Sequence, residues 1–212
     1  MMTTTPSLDQ SLRAVTARHG VERLEVEWRL GSQGQLGFHP GVSVDAWEAM
    51  RRYLDAAYPD GITETRTAEY IVPGGGKLVV LDRLQQHWMF KNRLANHDIS
   101  PSVRVSMSIE DVRPARPNEP IPPSSFARFK ERRSYRVDCW SIDLTKVAAT
   151  ADIDCDTITY EVEIELADPD ILFVRPVPNI LEWGSQLATL LLAQKQDYLS
   201  SCFVEHKQQA CR

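Results

Sequence analysis

Nowhere in this 212-residue chain does an apolar run approach the length needed to cross a bilayer as a helix, so no membrane attachment is expected. The opening stretch, Met1-Met2-Thr3-Thr4-Thr5-Pro6, has neither the basic nor the apolar region of a secretory signal. Cysteine is scarce. Cys139, Cys155, Cys202 and Cys211 form no CxxC pair and stand at no zinc-ligand spacing with histidine, which argues against a zinc module. They read as reduced thiols of an intracellular protein. Basic charge is not in excess: 24 Lys and Arg face 29 Asp and Glu, a net charge of −5. That balance speaks against a broad nucleic-acid surface but allows a small basic pocket for a phosphorylated end. The one lysine beside a glycine cluster, Lys77 after Pro73-Gly74-Gly75-Gly76, lacks the spacing of a phosphate-binding P-loop. Internal repeats are also missing.

What is present is an ordinary hydrophobic share, 42%, cut into short alternating stretches. Residues 1–212 read as a single domain with a flexible tail at 1–6. Ser7 to His19 reads as a short helix capped by Ser7 and stopped by Gly20. Val21 to Gly31 alternates as a strand, and the glycines of residues 31–41 read as a loop. Ser43 can cap a second helix whose buried side follows Val44, Trp47, Met50, Arg51 and Leu54. Then come strand patterns at Thr63–Val72 and Lys77–Asp82 around the Pro-Gly-Gly-Gly turn, and at His87–Leu94 and Val103–Glu110 around a turn at Asn96-His97-Asp98. Arg113 to Ser125 carries five prolines and reads as a mobile loop. Strands resume at Phe126–Asp138, Cys139–Ala148 and Thr157–Leu166. A long helix is expected over 179–206, with Leu181, Leu187, Leu190, Leu191 and Tyr198 as its buried stripe. Many antiparallel strands with helices near the ends favour a β-barrel or strongly curved sheet with helices packed outside, an α+β fold that is mainly antiparallel β.

The strands share one peculiarity: one face is apolar and the other carries charge of a chosen sign. Glu25 and Glu27 alternate with Leu24, Val26 and Trp28. Arg104, Ser106 and Glu110 fall in phase, as do Arg128, Lys130, Arg132 and Ser134. Asp143 and Thr145 oppose Trp140, Ile142 and Leu144. Glu161, Glu163 and Glu165 alternate with Val162, Ile164 and Leu166. A solvated outer face usually mixes Thr, Ser, Lys and Glu. Unbroken acid on some strands and unbroken base on another point instead to faces that converge on a wet interior, because a charge taken out of water must be paired. Carboxylates from two strands suit a hard divalent cation, and Arg and Lys suit phosphate oxygens. Lys91 and Arg93 share a face and fit either a basic wall or a solvated edge. His39, His87 and His97 lie in or near expected loops and are not read as ligands. Trp28, Trp88 and Trp140 read as outer-wall packing rather than as base-stacking platforms.

Taken in order, LEVEWRLG, FHPGVS, RVSMSIE, FKERRSY, IDLTKV and YEVEIEL resemble the metal-dependent RNA 5′-triphosphatases of fungi, protozoa and large DNA viruses, members of the triphosphate tunnel metalloenzymes. The resemblance runs from about Val21 to Trp183. It implies an eight-stranded antiparallel barrel around a hydrophilic tunnel. It implies Mg²⁺ or Mn²⁺ on Glu25, Glu27, Glu163 and Glu165, and a triphosphate held by Arg104, Lys130 and Arg132, with Ser134 beside them. Glu161 would orient the attacking water, with Asp143 and Thr145 ordering the network and Glu110 as a further essential carboxylate. Arg29 stands where small-substrate members of the superfamily often have lysine, which fits the RNA-capping branch.

The implied reaction removes the γ-phosphate of 5′-triphosphate RNA as the first step of mRNA capping, with nucleoside triphosphate hydrolysis as a side activity. A guanylyltransferase would be the natural partner and, in a eukaryote, the nucleus the compartment. A monomer is favoured over a homodimer. Two alternatives stay open: a hydrolase of inorganic tripolyphosphate or thiamine triphosphate on the same tunnel, and a non-catalytic phosphate-binding or capping-partner module.

Overall fold

The computed structural model describes residues 7–72, 76–81, 85–116, 119–121, 126–149 and 158–209, with side chains described as far as residue 194. The N-terminal tail, residues 73–75 of the Pro-Gly-Gly-Gly turn, part of the proline-rich segment, Cys155, Cys211 and the side chains of Tyr198 and Cys202 lie outside that description.

The first helix, α1 (Leu8–His19), starts at Ser7 in a reciprocal cap: the Gln10 amide donates to Ser7 Oγ while the Ser7 amide donates to Gln10 Oε1. Strand β1 (Leu24–Gly34) follows, and its alternation is the expected one. The glycine-rich stretch, expected as a loop, is instead the hairpin of β1 with β2 (Gly37–Pro40). Glycine permits this pairing rather than breaking it. A Cβ on Gly31 would lie 2.2 Å from the His39 carbonyl oxygen. Helix α2 (Val44–Ala57) is capped by Ser43.

Strands β3 (Ile62–Val72), β4 (Gly76–Leu81), β5 (Gln85–Ser100), β6 (Val103–Pro114), β7 (Phe126–Val137), β8 (Trp140–Ala149) and β9 (Ile158–Leu166) complete the sheet. The turn expected at 96–98 is instead strand. The β5–β6 hairpin turns at Pro101-Ser102, and the excess length is absorbed by register shifts at Arg93/Ala95 and Asp98/Ser100. A short α3 (Ile171–Val174) leads into the long α4 (Val177–Gln209).

Every strand pair is antiparallel, in the order β2-β1-β6-β5-β4-β3-β7-β8-β9, and β1 pairs with β9. Eight strands therefore close on themselves, with β2 as an extra strand at the end of β1. The apolar core lies outside the barrel. The outward faces of β1, β8 and β9 (Trp28, Trp140, Ile142, Ile164, Leu166) pack beneath Met50 and Leu54 of α2 and Ile180, Leu181, Leu187, Ala188 and Leu191 of α4. Trp28 and Trp140 meet edge to face with centroids 5.2 Å apart, and Trp28 Nε1 donates to Ser185 Oγ of α4. These two tryptophans do pack the outer wall. Trp88 stacks on Phe90 and is not part of the buried core beneath the helices among the described residues. Gly184 lets α4 sit flush on this wall, since a Cβ there would come 2.7 Å from Trp28. Two stripe positions differ from expectation. Val44, in the first turn of α2, and Leu190 of α4 are exposed. The buried side of α4 runs through residues 180, 181, 184, 187, 188 and 191, and Leu190 falls off it.

Candidate active site

With the apolar side chains turned outward, the alternate positions face the barrel interior. They line a cavity of about 440 Å³. Glu25, Glu27 and Arg29 come from β1; Glu69 from β3; Lys77 from β4; Lys91 and Arg93 from β5; and Glu110 from β6. Arg128, Lys130 and Arg132 come from β7, and Glu163 and Glu165 from β9. The strand register explains the meeting of β1 and β9, which puts Glu27 opposite Glu165 and Arg29 opposite Glu163.

The acidic wall is dense, and each carboxylate feels the others. Glu27, 3% exposed, is pushed up to about 7 by burial and by Glu163 and Glu25, against the pull of Lys91 and Arg29. Glu165 is pushed up to about 8, chiefly by burial, then by Glu25 and Asp143. Glu110 is also raised, by burial and by Glu25. Burial acts on Glu163 in the same direction, but Arg29 and Arg132 outweigh it and hold this carboxyl below its ordinary range. Arg29 donates from Nε to Glu163 Oε1 at 3.1 Å.

Lys91 sits inside the acidic group. It bonds Glu25 directly and lies 3.4 Å from Glu27 and 3.7 Å from Glu110. Ser108 Oγ donates to Glu25 Oε2 at 2.6 Å. Among the described residues, no three His, Cys, Asp or Glu side chains are gathered as a finished ion site, because Lys91 and Arg29 are threaded among the carboxylates.

The basic wall is organised around Glu69, which accepts from Lys77 at 2.7 Å and pairs with Lys130 at 3.2 Å. Burial would raise this carboxyl, yet Lys130 and Lys77 hold it down at about 2. Lys130 itself is lowered, chiefly by burial, despite Glu69. Arg132 reaches Asp143 at 2.8 Å and Glu163 at 3.6 Å, and its Nε donates to Thr145 Oγ1 at 3.3 Å. Arg128 Nη2 donates to Glu161 Oε1 at 2.7 Å.

Of the residues singled out from the sequence, the cavity brings together Glu25, Glu27, Glu110, Lys130, Arg132, Glu163 and Glu165. Asp143, Thr145 and Glu161 stand buried behind it, each bonded to an arginine of β7. Two do not line it. Arg104 lies at one end of the barrel, where its guanidinium bonds Asp98 at 2.6 and 3.0 Å and stacks 4.9 Å over Phe38. Ser134 lies past Arg132 toward the other end, in register with Asp143. The cavity also takes in Glu69, Lys77, Arg128, Lys91 and Arg93, which the sequence does not single out as site residues. The in-phase signal was there for Arg128, Lys91 and Arg93. Glu69, within Thr-Glu-Thr-Arg-Thr-Ala-Glu, looks like any solvated strand until its partners are known.

Residues 85–175 match the family described as mRNA capping enzyme, beta chain. The 5′ RNA triphosphatase A449R of Paramecium bursaria Chlorella virus 1 is 27% identical over 193 residues, spanning 88% of this chain and 97% of the viral protein. Among solved structures, the S. pombe RNA triphosphatase Pct1 superposes with a TM-score of 0.62 at 16% identity, covering 96% of this chain and 93% of Pct1. The chain has the tunnel fold of the RNA triphosphatases. The RNA triphosphatase domain of a trifunctional mimivirus mRNA capping enzyme shares this fold, with a TM-score of 0.58 at 16% identity over 91% of this chain and all of that domain. In the tunnel of the present chain the acidic wall comes from β1, β6 and β9 and the basic wall mainly from β4, β5 and β7. The expected eight-stranded barrel with helices outside is therefore what forms, with β2 added.

Proposed function

We propose that this chain is an mRNA-capping RNA 5′-triphosphatase that hydrolyses the γ-phosphate of 5′-triphosphate RNA, leaving a 5′-diphosphate end and phosphate. The observation that carries the reading is the cavity itself: a carboxylate wall facing a wall of lysine and arginine inside a closed barrel. A polyphosphate fits between such walls, and phosphoryl transfer needs little more than positioning and charge stabilisation. The matched family and the viral relative support the same assignment.

Lys130 and Arg132 would hold the terminal phosphate, Arg132 being braced by Asp143 and Thr145. Lys77 extends that wall through Glu69. Glu161, ordered by Arg128, would direct the attacking water in line with the bond that breaks. Glu25, Glu27, Glu163 and Glu165 supply the hard oxygen donors that Mg²⁺ or Mn²⁺ prefers, and the crowding that lifts Glu27 and Glu165 is relieved by added positive charge. Such an ion would withdraw charge from the phosphate oxygens as the bond to the β-phosphate weakens. Residues 1–212 then act as one tunnel domain, in capping, with a guanylyltransferase as the next enzyme and the nucleus as compartment in a eukaryote. No helix among the described residues is long and apolar enough to cross a membrane.

The test is phosphate release from 5′-triphosphate RNA, beside inorganic tripolyphosphate and ATP, with Mg²⁺, Mn²⁺ or chelator. Metal-dependent release of the γ-phosphate alone from RNA supports the capping role. Fast tripolyphosphate turnover with negligible RNA turnover would move the activity to small polyphosphates.

A further inference from the structure

Among the described residues, nearly every cation of the cavity has a carboxylate against it. Arg29 has Glu163, Lys77 and Lys130 have Glu69, Lys91 has Glu25, Arg128 has Glu161 and Arg132 has Asp143. Arg93 is the exception. It lines the cavity, is exposed, and has no ion pair or hydrogen bond to any described side chain. Its register partner is Ser108, and it is the last cavity-lining residue of β5 toward the β5–β6 hairpin. The inward residues of β5 run His87, Met89, Lys91, Arg93, and the strand then passes through a register shift to Asp98, the partner of Arg104. Arg104 is in turn the register partner of Arg29, the last cavity-lining residue of β1 in that direction. Arg93, Arg29 and Arg104 therefore mark one end of the barrel. The other end is acidic: the lining residues of β1, β6 and β9 finish there with Glu25, Glu110 and Glu165, beside His87 of β5, Thr65 of β3 and Ser134 of β7.

An RNA whose 5′ end is held inside must leave through one end, carrying a phosphate for each nucleotide. Resting on the triphosphatase reading above, we propose that the RNA leaves through the arginine-marked end, and that Arg93 holds the phosphodiester that links the first two nucleotides. The other arginines must give up a carboxylate to take a phosphate; Arg93 gives up only water. Its planar guanidinium offers a two-pronged contact to that phosphodiester, a group that inorganic tripolyphosphate lacks. Arg93 would thus be the residue that separates a triphosphate on RNA from a free polyphosphate.

The test compares the whole chain with R93A and R93K on 5′-triphosphate RNA and on inorganic tripolyphosphate. R93A should lower kcat/KM for RNA about fivefold more than for tripolyphosphate, mostly through KM, as expected for loss of one charge-assisted phosphate contact. The dependence of log kcat/KM on log salt should flatten by about 0.7 for RNA, and R93K should restore it. RNA carrying 4-thiouridine at its second position should cross-link, on wild type, to the β5–β6 or β1–β2 hairpin. Equal losses on both substrates, or cross-links near His87 and Thr65, would overturn the inference while leaving the triphosphatase intact. A wild-type chain that turns over tripolyphosphate but not RNA would remove the parent reading, and this one with it.

Discussion

Glu69 shows how a single side chain can hold one wall of the tunnel. It is 5% exposed and fastens Lys77 and Lys130 together. Its carboxyl is held at about 2, below the ordinary 4.5. A depressed folded value contributes stability that is complete above the unfolded value and lost as pH falls through the folded one. E69Q should therefore cost on the order of 2 kcal/mol at pH 7. The gap from wild type should narrow below about pH 5 and close near pH 2, as read by denaturant unfolding at several pH values. A gap that stays constant across this range would mean that Glu69 acts by packing alone. At the acidic wall, Glu163→Ala removes the carboxylate shared by Arg29 and Arg132. Metal-dependent phosphate release should fall about a hundredfold or more while unfolding stays cooperative. Full activity at saturating Mn²⁺ would take Glu163 out of the ion site. These glutamates could be read from the chain because their spacing repeats every second residue. Glu69 could not, because its meaning depends on Lys77 and Lys130, which only strand pairing brings beside it.

At the scale of elements, α1, α2, β1 and β3 to β9 were legible from capping residues and alternation, since both signals are local. What escaped was non-local. The glycines at 31–41 look like loop residues, and their role in a close hairpin emerges only with His39 and Phe38 against Gly31. The real turn of β5–β6 lay hidden because two bulges carry the strand beyond its apparent stop. Helix α4 was visible, but the angle of its stripe was not, for it is set by Gly184 settling on Trp28. Alanine normally gains about 1 kcal/mol over glycine inside a helix. Here G184A should instead lower stability by about 1–2 kcal/mol, because its Cβ must push Trp28 or lift α4. A thermal unfolding midpoint equal to or above wild type would show that the wall yields at no cost.

For the molecule as a whole, the weakest closure is the β1–β9 seam. Three residue pairs are in register there, against ten between β7 and β8. Opening free energies within a protein follow local contact, so amides bridging the seam should exchange before those joining β7 to β8. Hydrogen exchange by mass spectrometry tests this, and uniform protection around the barrel would contradict it. The seam is also where the site is assembled, since Glu27 meets Glu165 and Arg29 meets Glu163 across it.

That placement bears on the order of events at the ribosome. Arg29 and Glu163 are 134 positions apart, and β1 is the first barrel strand to be made while β9 is the last. Contacts this distant in sequence form late and slowly. Until β9 has emerged and docked, the nascent chain holds an acidic wall that lacks Glu163 and Glu165. Competence to bind a triphosphate should therefore arrive in one step, when β9 docks, rather than grow with chain length.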